Sequence, residues 1–162
     1  LLCTGYGISP GASLNRPFEK VLIMSTNGGW WAKIKGIEIA FLAVGAIAGA
    51  LLRYKLAESQ LIADTLPGSV LAANVIGSFI LGIFSILFVA WNLDSRYSLL
   101  AAVGFCGSLT TMSSFALETV NLADNRQFGS MAINILANVG LSIGAIVGGR
   151  SLATVILKGG LQ

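Results

Sequence analysis

Four apolar runs, at about residues 36–56, 69–91, 99–120 and 131–157, alternate along the chain with short clusters of charged and turn-forming residues. Each is near or above the ~20 residues that a helix needs to cross a bilayer. The pattern predicts an all-α membrane protein with four transmembrane helices. Polar and small positions recur within these runs at helical spacing. In the second, Asn74, Ser78 and Gly82 repeat every four residues with Gly77 beside them, giving one polar, small face that looks into the bundle. In the fourth, Asn134, Asn138 and Ser142 form a polar face. Gly140, Gly144 and Gly148 form a second, offset by two residues or about 200° around the helix, which predicts a close-packing groove. Gly45 and Gly49 give the first helix a small-xxx-small step of the same kind.

The third run departs furthest from a plain lipid-facing helix. Between Gly104 and Phe115 it carries two glycines and five hydroxyl residues. Glycines three apart weaken a helix by about 1 kcal/mol each relative to alanine, and a membrane tolerates broken backbone only where it is buried in protein or lines a polar cavity. A break at the centre of this helix is therefore expected, with freed carbonyls to satisfy. After it, Thr111, Ser114 and Glu118 would align two hydroxyls and a carboxylate on one face, with Met112 and Phe115 as a neighbouring apolar stripe. The simpler reading has Ser and Thr bonding back to their own helix and the glycines serving packing alone.

Composition narrows the class. The 162 residues are 55% hydrophobic and only 10% charged, with a mean hydropathy of +0.82, where soluble proteins carry about a quarter charged residues. The net charge is +3, but the cations are scattered singly around helix ends, as juxtamembrane residues are, so a nucleic-acid partner is set aside. Histidine is absent and the two cysteines, Cys3 and Cys106, are isolated, which excludes histidine metal sites and triads and offers no disulfide framework. No G-x-x-x-x-G-K-[ST] motif for nucleotide-driven pumping occurs. Residues 1–35 lack hydrophobic periodicity and are expected to form a poorly ordered N-terminal extension, with Met24 a candidate true start; residues 36–158 are expected to form one compact membrane domain of four helices. Lys33, Lys35, Arg96, Arg150 and Lys158 fall on one side of the membrane against Arg53, Lys55 and Arg126 on the other. So weak a bias suits a chain that inserts both ways and pairs with its own inverted copy.

Three motifs in order resemble those of the small fluoride channels called Fluc or CrcB. Helix one reads Gly45-Ala46-Ile47-Ala48-Gly49-Ala50-Leu51-Leu52-Arg53-Tyr54, against G-G-x-x-G-A-x-x-R-Y in the family. Helix two reads Pro67-Gly68-Ser69-Val70-Leu71-Ala72-Ala73-Asn74-Val75-Ile76-Gly77-Ser78-Phe79-Ile80-Leu81-Gly82, against P-x-G-T-L-x-x-N-x-x-G-S-F-x-L-G. Helix three follows G-F-C-G-G-x-T-T-F-S-[ST]-F, with Ser108 for the second glycine of the pair and Met112 for the first phenylalanine. Together they cover Gly45 to about Gly148.

The resemblance implies a dual-topology, antiparallel homodimer in the plasma membrane, with two pores selective for fluoride and passive export of the anion that protects the cell. It puts Asn74 and Phe115 along the pore with Met112 in a phenylalanine place, Ser113, Ser114 and Ser142 on a polar track, and Arg53 near the vestibule. Thr111, Glu118 and Asn138 are expected as vestibule or structural residues, and main-chain carbonyls of Gly107 and Thr110 are expected to hold a structural sodium ion at the dimer centre. The chemistry is coherent: strongly hydrated fluoride needs donors that replace water, and a neutral, donor-lined pore does not attract cations. The competing readings are a structural membrane subunit built on the glycine faces and a small proton-coupled exporter. The exporter would need a carboxylate deep in helix one, where Glu38 lies near the beginning.

Overall fold

The structure, a computed structural model, describes residues 36–58 and 68–159; the expected N-terminal extension lies outside the described residues. Every regular element within them is helical. α1 spans Gly36–Glu58 and α2 Gly68–Ala90. The third span, Ser95–Asp124, is composite. It starts with one turn, α3 (Ser95–Ser98), widens into a π-helix (Leu99–Cys106), closes with α4 (Gly107–Leu109) and resumes as α5 (Met112–Asp124). α6 runs through Phe128–Gly159, a few residues longer at each end than its apolar run. Among the described residues, four helical spans are thus long and apolar enough to cross a membrane.

Local chemistry sets the turns. Asp94 caps α3 by accepting from the backbone N–H of Arg96 at 3.0 Å, and Asn92 before it takes a left-handed φ of 46°. Arg126, with φ 58°, makes the second tight reversal, between α5 and α6. Asparagine adopts this conformation more readily than most residues.

Glycines bring two pairs of helices into backbone contact. A Cβ on Gly45 would run into the carbonyl of Leu100, and one on Gly49 into that of Phe105. Gly104 answers from the other side, where a Cβ would stand 2.7 Å from the carbonyl oxygen of Leu42. α1 and the π-helix therefore lie backbone to backbone, the close approach expected of Gly45 and Gly49. α2 and α6 meet likewise: a Cβ on Gly82 would come within 2.5 Å of the Ile146 carbonyl, and one on Gly149 would strike that of Phe79. The groove expected from Gly140, Gly144 and Gly148 is not used among the described residues. There, a Cβ on Gly140 or Gly144 would meet nothing within 4 Å, and one on Gly148 only the Phe79 ring at 4.0 Å. The packing glycine of α6 is Gly149, one residue on and therefore about 100° around the helix.

A small apolar core of Phe88, Ala101 and Ala102, with Leu81, Phe84, Leu93 and Leu100 against it, closes one end of the bundle. Many large apolar side chains elsewhere face outward, among them Ile47, Leu51, Leu136 and Ile143, as a bilayer permits.

Candidate functional site

The break in the third span lies at Thr110 and Thr111, not at the glycines. Both threonines are extended, with φ/ψ of −76°/152° and −148°/113°, whereas Gly107 keeps helical values of −65°/−31°. Gly104 and Gly107 thus do not open the helix, and Gly104 serves close packing on α1. The β-branched threonine pair suits an extended backbone better than most residues do. Thr110 closes the first half, its N–H and hydroxyl both donating to the Cys106 carbonyl, at 3.0 and 2.9 Å. Thr111 opens the second half as an N-cap: its Oγ1 accepts from the Ser114 N–H at 3.2 Å. Thr111 therefore precedes α5 and does not share a helical face with Ser114 and Glu118. Its hydroxyl instead joins those of Ser113 and Ser114, at 3.2 and 3.1 Å.

Asn74 repairs the broken ladder from α2. Its Oδ1 accepts from the Thr111 N–H at 2.8 Å, and its Nδ2 donates to the Thr111 carbonyl at 3.4 Å, so a side-chain amide serves where a neighbouring backbone would. Gly77, one turn on, leaves room for the Thr110 methyl, which would stand 2.5 Å from a Cβ there. Asn74 Nδ2 also donates to Asn138 Oδ1 at 3.0 Å, joining α2 to α6. Asn138 Nδ2 donates back along its own helix to Asn134, at 2.9 Å to Oδ1 and 3.1 Å to the carbonyl. Asn134 Nδ2 donates to Thr119 Oγ1 at 3.1 Å, and the Thr119 hydroxyl donates to the Phe115 carbonyl at 2.7 Å. Four segments, α2, the extended threonine pair, α5 and α6, are tied at one place by side chains whose donors and acceptors alternate.

Beside this knot lies an open groove of about 350 Å³. Asn74, Thr110, Thr111, Met112, Phe115, Asn138 and Ser142 line it together with Ser78, Cys106 and Gly107, and among the described residues no charged side chain does. Ser78 and Ser142 add hydroxyl-bearing side chains to this lining. Met112 is 74% exposed, while Phe115 is buried, and both line the groove.

Other expected site residues lie apart. Ser113 is exposed and Ser114 half-buried at the start of α5, joined to the site through Thr111 without lining the groove. Arg53 lies near the C-terminal end of α1, half-buried and off the groove. Glu118 is half-buried on α5, and its Oε2 is buried without a hydrogen-bond partner among the described residues. Sequence reasoning missed Thr119, whose only signal was its position one turn after Phe115.

The chain can be set beside known proteins on this geometry. The sequence model of a family described as CrcB-like protein, Camphor Resistance (CrcB), matches residues 40–150, which contain the break, the groove and the asparagine knot. A protein of Nitrosopumilus maritimus (strain SCM1) named fluoride-specific ion channel FluC is 62% identical over 125 residues, 77% of this chain and 99% of that protein. FluC proteins of Sulfurihydrogenibium sp. (strain YO3AOP1) and Methanocaldococcus jannaschii are 40% and 36% identical, over 71% and 75% of this chain and 95% and 98% of their own lengths. The chain belongs to the CrcB family and is a multi-pass plasma-membrane protein.

Proposed function

We propose that this protein is a fluoride-selective channel that lets the anion leave the cell passively, and that it is not an enzyme. The observation that carries the reading is the uncharged groove beside the break, which Ser78, Ser142, Asn74 and Phe115 line together. Fluoride gives up strongly held water only to donors that replace it. Hydroxyls, an amide N–H and the positive edge of an aromatic ring are such donors, and the long 3.4 Å bond from Asn74 to the Thr111 carbonyl is the one most easily exchanged for an anion. With no carboxylate in the lining, nothing there draws in cations. Ser113 and Ser114 extend the hydroxyl track past Thr111, Arg53 draws anions toward the entrance, and Met112 guards the groove's edge with a thioether in place of a ring. The related proteins' name, fluoride-specific ion channel, supports the choice of ion.

The working unit in this reading is an antiparallel homodimer of oppositely inserted copies with two pores. An open groove and the bare Gly140 and Gly144 face are surfaces that a second copy would cover. The carbonyls of Gly107 and Thr110 suit a structural sodium ion at the centre of such a dimer. In a continuous helix they would accept from the N–H groups of Thr111 and Ser114, but those go to Asn74 Oδ1 and Thr111 Oγ1. Oxygens freed in this way are what a hard cation takes, and a second copy would complete the set.

Purified protein in liposomes loaded in turn with fluoride and chloride tests the reading by ion-selective electrode. Rapid fluoride release with negligible chloride release is expected. Dimeric protein that releases neither ion would favour a structural subunit instead.

A further inference from the structure

We propose that Asn134 and Thr119, which do not line the groove, are positioning residues that fix which way the Asn74 carboxamide points and so hold the break in register. The inference rests on the channel reading for its consequence in transport, but its structural half stands on the hydrogen bonds alone.

A carboxamide can turn over by 180° with almost no change in shape, so its orientation is decided by whether its neighbours are donors or acceptors. Asn74 must present oxygen to the Thr111 N–H and nitrogen to Asn138. If Asn138 turned over, two NH₂ groups would face each other, and Asn74 would have to give up either that contact or its pair of bonds to the Thr111 backbone. Asn138 is held by donating to both oxygens of Asn134, the carbonyl and Oδ1. Asn134 in turn keeps Oδ1 toward Asn138 because its Nδ2 donates to Thr119. Thr119 is available as an acceptor because its own proton is committed to the Phe115 carbonyl, the shortest bond of the series at 2.7 Å. The chain therefore runs from a backbone carbonyl of α5 through α6 and α2 to the backbone at Thr111, with the Asn134 carbonyl as a second anchor on Asn138. Polarised in one direction, the links strengthen one another. Thr119 and Asn134 thus act on the groove through Asn138 and Asn74, and the chain returns to the element that carries Phe115.

The test measures amide hydrogen exchange at Thr111 by NMR on full-length protein in bicelles, and fluoride efflux from liposomes, for Thr119→Val, Asn134→Leu and the conservative Thr119→Ser. Thr119→Val keeps the shape but cannot accept from Asn134, whereas Thr119→Ser can. Thr111 is expected to exchange roughly tenfold faster in the Val and Leu variants, about what one buried hydrogen bond supplies. Protection should return to within about twofold in Thr119→Ser, where the acceptor is restored. Fluoride efflux should fall in parallel. A role in α5–α6 packing alone would disturb amides near Thr119 and leave Thr111 untouched, and that result would overturn the inference. Faster exchange at Thr111 with efflux unchanged would overturn its transport half. A wild-type protein that passes no fluoride would overturn the channel reading, while faster exchange at Thr111 would still support the positioning chain.

Discussion

The two halves of the third span are held by opposite means. The half before the break is placed by backbone contact: Ala101, Ala102, Gly104, Cys106 and Leu109 are all buried, and the π-helix lies on the glycines of α1. Its wide turn is explicit in the Gly107 N–H, which reaches the Ala102 carbonyl five residues back. The half after the break buries only Phe115 and exposes Met112, Leu117 and Val120. Its position comes from directional bonds: the Thr111 cap, the Asn74 pair and the link from Thr119 to Asn134. Apolar surface gains little by leaving lipid, so helices in a membrane hold each other through close packing or hydrogen bonds. Here each means has its own half, and the groove lies where one gives way to the other.

The comparison breaks most completely at α1. Gly49→Val should yield no folded protein, because its Cβ would meet the backbone carbonyl of Phe105, which no rotamer change can move aside. Overpacking of a tight contact costs about 1–3 kcal/mol or more, and here both clashing groups are helix backbone. The check is the loss of a monodisperse peak in size-exclusion chromatography. A well-behaved Gly49→Val protein would mean that the first half is not held by backbone contact.

This division explains what could be read from the sequence. Spans were legible because length and apolarity set them: the run beginning at residue 36 became Gly36–Glu58, and that at 69 became Gly68–Ala90. The break was legible in existence but misplaced in cause. Glycine signals both helix weakness and close approach, and Gly104 turned out to serve the second while the threonines after it carried the first. Likewise, spacing identified Asn134, Asn138 and Ser142 as one face, but a face does not name its partners. The pairing of Asn74 with Thr111, 37 residues away, leaves no periodic mark. The α6 glycines failed for a related reason, since a repeat of four cannot say which stripe meets α2 within the chain and which stays open.

A smaller effect sharpens the contrast on the hydrogen-bonded side. Met112 begins α5 at the groove's edge, 74% exposed, so its side chain can be exchanged without touching the core. Met112→Phe should leave thermal stability unchanged and alter fluoride efflux by roughly two- to fivefold, through a ring edge that is more positive than a thioether. Efflux equal to wild type would show that Met112 does not face the ion, and the working part of the groove would shrink to Phe115, Asn74 and the serines.

The smallest expected effect is at Gly144, which carries the same residue type as Gly49 and the opposite surroundings. A Cβ there meets nothing among the described residues, so Gly144→Ala should not disturb the fold of a single copy and should even favour the helix by up to about 1 kcal/mol. Thermal unfolding of purified protein should therefore show a transition at or slightly above the wild-type temperature, with fluoride efflux retained. A fall in dimer stability with the helices intact, measured by dilution in detergent, would carry a different meaning: a second copy approaches α6 along this stripe as closely as α1 approaches the π-helix. Backbone contact would then hold the dimer as well as the first half of the third span, and side-chain hydrogen bonding would be left to the second half and its ties to α2 and α6.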